Sequence, residues 1–424
     1  MTQDAVSLED FYALGTSGKF IFARNGKLWP AEHLDKRFPR VQVGTDDDGN
    51  PIKIKPSVWI ARRRPVDDMT WVPGKPTIIK DMLVMEGGLV SNKGCKLFNQ
   101  YRPPLPPTGN PEQAGKWLDH IEALYPNDHR HVVNWFAHRV QHPGIKINHA
   151  LVLGGPPKIG KDSVLHPVIQ AVGHWNTREV QPLDLTADFN PHIKCVILRV
   201  NEARDNGDAR YQLYEHTKIL LAAPPDVLTV NEKHVPQYAV SNIVGVVFTT
   251  NHRAGGLYLD LEANDRRHFV AWSEATPEDF DQAYWDDLWD WYTTRNGCQH
   301  VASYLASLNL DGFSPTAAPP KTPAFWTMVN ADRSSEDAAL ADVIDGLGNP
   351  VALCKDNLLR EAEAQGNGLA DFLREGKNAS KLSHRLEKIG YFSIEPRKPA
   401  GRAAYANGKK VRHSDCGGPG QERC

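Results

Sequence analysis

Gly155, Gly160 and Lys161 stand at a spacing that suits phosphate chemistry. In the stretch Gly155-Pro156-Pro157-Lys158-Ile159-Gly160-Lys161-Asp162-Ser163, the second glycine is followed directly by a lysine. The apolar run Leu151-Val152-Leu153 precedes the loop and a helical pattern follows it. Such a loop turns backbone N–H groups and a helix N-terminus toward an anion, while the lysine reaches the terminal phosphates. The usual motif has a Ser or Thr after the lysine to meet Mg²⁺. Here Asp162 takes that position and the hydroxyl comes one residue later, at Ser163. A hydroxyl ligates as a neutral oxygen, whereas a carboxylate beside a triphosphate adds repulsion, so Ser163 is expected to meet the ion ahead of Asp162. The alternative for the whole segment is a tight strand-to-helix turn with an exposed lysine.

Three further groups carry chemistry. The β-branched run from Cys195 to Val200 ends in Asn201-Glu202-Ala203-Arg204-Asp205. An acid at the carboxyl end of a central strand is where a phosphate-loop ATPase keeps its magnesium and water-activating carboxylates. Glu202 is therefore expected to polarise the attacking water. Asn201 stands where an Asp is often found, and with Glu202, Asp162 and Ser163 it makes up the polar surroundings of the metal. A second apolar run, Ile243 to Thr250, ends in Asn251-His252. The Asn251 amide suits positioning of a water against the γ-phosphate, or capping of the next turn. Arg266 and Arg267 precede the run His268 to Trp272. Arginine suits charge stabilisation on a transferring phosphoryl group and is often supplied by a neighbouring subunit. Read singly, the two arginines are surface charges.

These groups need a sheet to hold them. Runs apolar at every position predict strands covered on both faces, hence an α/β core. Before it, residues 112–145 carry Trp117, Leu118, Ile121, Leu124, Val132, Val133, Trp135 and Phe136 at helical spacing, which predicts a helical segment. The core is expected over 146–310, closed by an aromatic-rich helical lid from Asp279 to Tyr304. Proline-rich stretches at 103–111 and 315–323 read as linkers. Residues 1–100 predict a mixed α+β accessory region of short strands. Residues 325–412 predict a small basic domain with a helix at 380–390 and a two-stranded wing, a winged-helix pattern suited to gripping DNA phosphates, with a solvated polar tail as the alternative. The tail 413–424 reads as disordered.

Composition sets outer bounds. The 424 residues have a formal net charge of −2, so any nucleic-acid contact must be a local patch or a pore lining. No run of about eighteen apolar residues occurs and the N-terminus is polar, so neither a membrane span nor secretion is expected. The six cysteines lack metal or disulfide spacing, which suits a reducing cytoplasm.

Taken in order, the motifs resemble those of the superfamily III helicases, the AAA+-type ATPases of viral and plasmid replication, and the phage primase-helicase group in particular. The resembling stretches are Gly-Lys-Asp-Ser at 160–163, Asn-Glu-Ala-Arg-Asp at 201–205, Val-Phe-Thr-Thr-Asn-His at 247–252 and Asp-Arg-Arg-His at 265–268. The resemblance implies a P-loop AAA+-type core and a primase-associated remnant at residues 1–100. It implies ATP and Mg²⁺ bound at residues 155–163, a catalytic set of Lys161, Glu202, Asn251, Arg266 and Arg267, and sites shared between subunits of a homo-hexamer. It also implies a pore hairpin. Two β-rich runs flank Asn231-Glu232-Lys233-His234, and Lys233 and His234 would be its DNA-touching tip. The function implied is an ATP-dependent helicase or translocase on single-stranded or forked DNA in phage or mobile-element replication. Primase or initiator proteins would be its partners and a host's cytoplasm its location. A P-loop ATPase acting as a switch or loader on protein partners, without translocation, is the alternative.

Overall fold

The computed structural model describes residues 5–85, 88–201, 216–221, 224–233, 235, 237–253, 257, 259, 265–366, 368–374, 379–388, 391–394 and 404–407. Glu202 and His234 lie outside these residues, as do the basic positions expected in the wing. The chain divides into two compact units, residues 1–203, 215–251 and 266–322 in the first and residues 204–214, 252–265 and 323–424 in the second.

At the centre of the first unit is a five-stranded parallel sheet. Its strands in chain order are β1 (Ala150–Gly154), β2 (Thr177–Val180), β3 (Ile197–Val200), β4 (Gly245–Thr250) and β5 (His268–Trp272). In space they run β2-β3-β4-β1-β5. Every residue of β1 and β4 is buried, as both-face coverage requires. Because β4 lies between β1 and β3, the residues that follow these three strands emerge side by side at one edge. A ligand crevice belongs at that edge, outside the carboxyl ends of the strands.

Helices cover the sheet as the apolar spacing predicts. They are α1 (Gly115–Leu124), α2 (His129–Gln141), α3 (Lys161–Val172), α4 (Gln282–Thr293) and α5 (Gly297–Ser307). Trp117, Ile121, Leu124, Trp135 and Phe136 are wholly buried. The Trp117 indole N–H donates to the Val164 carbonyl at 3.0 Å, tying α1 to α3. Pro167 inside α3 lacks the N–H that would close on the Ser163 carbonyl four residues back. The Tyr292 hydroxyl of α4 donates to that carbonyl at 3.1 Å, so the break in one helix becomes the attachment point of another.

The described residues between 5 and 100 form strands together with two α-helices, Ala31–Arg37 and Pro56–Arg63. A four-stranded sheet orders Leu28–Trp29, Lys19–Phe22, Phe11–Leu14 and Pro65–Val66 over a core of Phe11, Phe20, Leu34 and Ile60. A three-stranded sheet joins Asp68–Thr70 and Ile78–Met85 to Gly88–Asn99. The expected hairpin is present: Val227–Val230 pairs antiparallel with Tyr238–Ser241.

In the second unit, helices Lys355–Gln365, Leu369–Arg374 and Ala379–Lys388 accompany a three-stranded antiparallel sheet. Its order is Ala352–Cys354, Ala404–Asn407, Tyr391–Ile394. The apolar core of this unit includes Leu340, Val343, Leu358, Leu373 and Leu386. Among the described residues, no helix is long and apolar enough to cross a membrane.

Candidate active site

The turn from β1 into α3 is built by backbone conformations that glycine adopts readily. Gly160, the residue before α3, has φ +90°, and a Cβ there would lie 2.4 Å from the Trp285 ring and 2.8 Å from the His120 ring. Glycine is therefore required both for the left-handed turn and for the close approach of two aromatic groups. Gly155 likewise has φ +144°, with Ile159 and Ser273 against it.

Lys161 is 9% exposed, so the exposed-lysine alternative does not describe it. Its ammonium donates to the carbonyls of Gly155 at 2.7 Å and Pro156 at 2.6 Å, and to Asn251 Oδ1 at 2.7 Å. Burial lowers its pKa to about 8, opposed by the Asp162 carboxylate and assisted by the Arg199 guanidinium. Asn251 follows β4, and the register Gly154↔Thr250 brings it to the loop.

Asp162 and Ser163 diverge. The Asp162 side chain is 74% exposed and pairs with Arg199, which also lies 3.7 Å from Glu179. Ser163 is 3% exposed; its hydroxyl donates to the Gly160 carbonyl at 2.7 Å and lies 3.0 Å from His120 Nε2. Asn201, at the tip of β3, donates its amide N–H to Glu179, and its Oδ1 faces the Thr249 hydroxyl at 3.5 Å. Together these residues line an open cleft of about 710 Å³, bordered on one side by Trp285 and Trp289 of α4. Its oxygen donors are carboxylates, amides and hydroxyls, the hard set that Mg²⁺ accepts alongside substrate phosphates. Among the described residues, no cluster of three or more His, Cys, Asp or Glu side chains is placed to hold a metal by itself.

Sequence reasoning passed over Arg199, which lines this cleft, and His120, which is buried beneath the glycine loop. Arg199 interrupts an otherwise apolar strand, and that interruption is the signal that points to it. His120 is wholly buried, and burial lowers its pKa and keeps the ring neutral. Its Nδ1 lies 2.7 Å from the Tyr284 hydroxyl and its Nε2 3.2 Å from the Gly160 carbonyl, so one ring bridges α1, the glycine loop and α4. Tyr284, Trp285 and Phe280 surround it.

Arg266 and Arg267 stand elsewhere. They precede β5, whose register against β1 is Ala150↔His268 through Gly154↔Trp272. The pair is therefore at the opposite edge of the sheet, roughly 20 Å along the strand direction from the glycine loop. Arg266 is exposed and Arg267 half-buried. On the hairpin, Lys233 is exposed, while the neighbouring Glu232 is held by Lys194 at 2.7 Å and by the Tyr238 hydroxyl at 3.0 Å.

The apo structure of the NrS-1 C-terminal region aligns over 84% of this chain and 91% of its own, with TM-score 0.54 and 16% identity. An A-form apo structure of the same region covers 88% and 95%, at TM-score 0.51 and 16% identity. The two chains share a fold. A structure of JCV helicase with a bound acetamide compound covers 55% of this chain and 63% of its own, at 13% identity and TM-score 0.33, too low to support a comparison. A model for a family of unknown function, DUF5906, matches residues 153–267, a span that contains every candidate site residue from Gly155 to Arg267. No curated protein matches in sequence.

Proposed function

We propose that this chain is an ATP-hydrolysing DNA motor, a helicase or translocase of superfamily III type serving replication of a phage or other mobile element. The observation that carries the reading is the contact between Lys161 and Asn251 at the carboxyl edge of the sheet. It joins a phosphate-binding lysine to a neutral amide suited to orienting the attacking water.

In this reading the loop 155–163 wraps the phosphates of ATP. Lys161 exchanges its carbonyl acceptors for phosphate oxygens and neutralises them. Asp162, Ser163, Asn201 and Glu202 are the residues that would supply oxygen donors to Mg²⁺, which when bound would offset charge on the phosphates. Glu202, directly after the β3 tip, takes the proton from water, and Asn251 orients that water. The position of Arg266 and Arg267 supports a role at a neighbour's nucleotide rather than at their own, since the opposite sheet edge is out of reach of the same cleft. That geometry calls for a ring, which we take to be a homo-hexamer. Lys233 and His234 touch DNA phosphates on the hairpin. The strand–helix–helix–helix–strand–strand order of residues 352–407 supports a winged-helix reading of the second unit, and replication primase or initiator proteins are its natural partners. The shared fold with the NrS-1 C-terminal region and the sequence resemblance both support this assignment.

ATP turnover measured with and without single-stranded DNA tests it. A motor hydrolyses faster with DNA; turnover indifferent to DNA favours a switch or loader acting on proteins.

A further inference from the structure

Asp162 and Asn201 depart from the usual residue types in opposite senses. Phosphate-loop ATPases hold Mg²⁺ with a Ser or Thr hydroxyl directly after the loop lysine and with an Asp at the tip of the neighbouring acid-bearing strand. In this chain the position after Lys161 has the carboxylate, and the tip of β3 has a neutral amide. Either change alone alters the charge around the cation by one unit. Made together, they leave it unchanged.

We propose that the two positions have exchanged roles, with Asp162 supplying the carboxylate of the Mg²⁺ site from the first turn of α3 and Asn201 supplying the neutral oxygen from the strand. The proposal rests on the nucleotide-binding reading of the cleft and settles which residue there bears the charge.

Three observations support it. Asp162 is the exposed member of the pair after Lys161 and lines the cleft, where its ion pair with Arg199 is the contact a bound cation would have to replace. Next, the Ser163 hydroxyl is committed. It is buried, donates to the Gly160 carbonyl and meets His120, and turning it toward a cation breaks both contacts. The chemical advantage of a hydroxyl, which favours Ser163 on sequence grounds, is thus countered by its placement. Finally, Asn201 spends its amide N–H on Glu179 and keeps its oxygen on the Thr249 side, where both residues line the cleft.

The test is a Mg²⁺ titration of the full chain with a fluorescent ATP analogue, reading analogue affinity rather than turnover. Asp162→Ser is expected to raise the Mg²⁺ midpoint at least tenfold or so, the lower end of what losing even an outer-shell partner costs. Without metal, analogue affinity stays level or tightens, because one negative charge has left the triphosphate's surroundings. Adding Asn201→Asp to Asp162→Ser returns the midpoint toward that of the parent, and Ser163→Ala shifts it less than Asp162→Ser does. An unchanged midpoint in Asp162→Ser, or a combined exchange no better than the single change, overturns the assignment while nucleotide binding stands. Failure of the parent chain to bind the analogue at all, with or without Mg²⁺, instead overturns the nucleotide reading beneath it.

Discussion

Lys161 and Asn251 are ninety positions apart in the chain and joined at 2.7 Å, lysine Nζ to amide Oδ1. The parallel pairing of β1 with β4 sets this contact, because Asn251 directly follows β4 at the edge where the loop after β1 carries Lys161. Separating their roles is the first prediction. Lys161→Ala should lose analogue binding and hydrolysis together. Asn251→Ala should bind the analogue nearly as well as the parent yet hydrolyse ATP roughly 10²-fold more slowly, the scale on which small misplacements act. Equilibrium binding beside single-turnover hydrolysis distinguishes the two. Equal binding losses in both variants argue against a water-positioning Asn251.

The lowered pKa of Lys161 gives a pH dependence. Its ammonium is charged below about pH 8 and neutral above. A phosphate needs the charged form, so affinity for the ATP analogue should be level near pH 7 and fall as pH rises through 8 to 9. An affinity that holds constant across that range would mean the lysine does not face phosphate.

Subunit mixing tests the arginines. Arg266→Ala or Arg267→Ala should retain nucleotide and DNA binding, with turnover down by about 10³-fold if the residue acts as a finger. Mixed with Lys161→Ala subunits, the assembly should regain part of its activity, since the defects fall on different sides of a shared site. Mixtures as inactive as their components count against composite sites.

The hairpin makes a separate prediction. Lys233 is exposed and is not among the residues that line the cleft. Lys233→Ala should weaken single-stranded DNA binding and leave basal ATP hydrolysis intact. The difference from the parent should shrink as salt rises, because a phosphate contact acts through counterion release. A salt-independent loss points to damage elsewhere.

Buried histidines behind the sheet predict acid lability. His131 Nε2 lies 3.0 Å from His149 Nε2, and His138 is close by. Burial lowers His131 to about 4 and, with help from neighbouring cations, His138 and His149 to about 3. The unfolded chain titrates these groups near 6.5, so it binds more protons than the folded chain between the two values. Their contribution is complete above about pH 6.5 and is lost as pH falls toward 4 and 3. Each group adds a slope of up to about 1.4 kcal/mol per pH unit within that window. Urea midpoints from pH 7 down to 5 measure it; midpoints that do not fall show the rings are charged or solvated.

Local patterns were legible in the sequence. Apolar runs named β1, β4 and the neighbourhoods of β3 and β5, and helical spacing named α1 and α2, because burial leaves its period on contiguous residues. The hairpin at 227–241 was visible for the same reason. The tertiary structure decided the partners. That Arg199 stands between Asp162 and Glu179, that His120 bridges the glycine loop and Tyr284, and that Ser163 points into the interior are consequences of strand order and helix rotation. Lys161 followed the same rule: its type suggested a phosphate ligand, but its burial and its hold on Asn251 came only from setting β4 beside β1. The placement of Arg266 and Arg267 at the far edge likewise follows from the parallel register of β5. A residue type states which bonds a side chain is able to make. Which of them it makes depends on groups brought near by segments distant in the chain, and no local period records that.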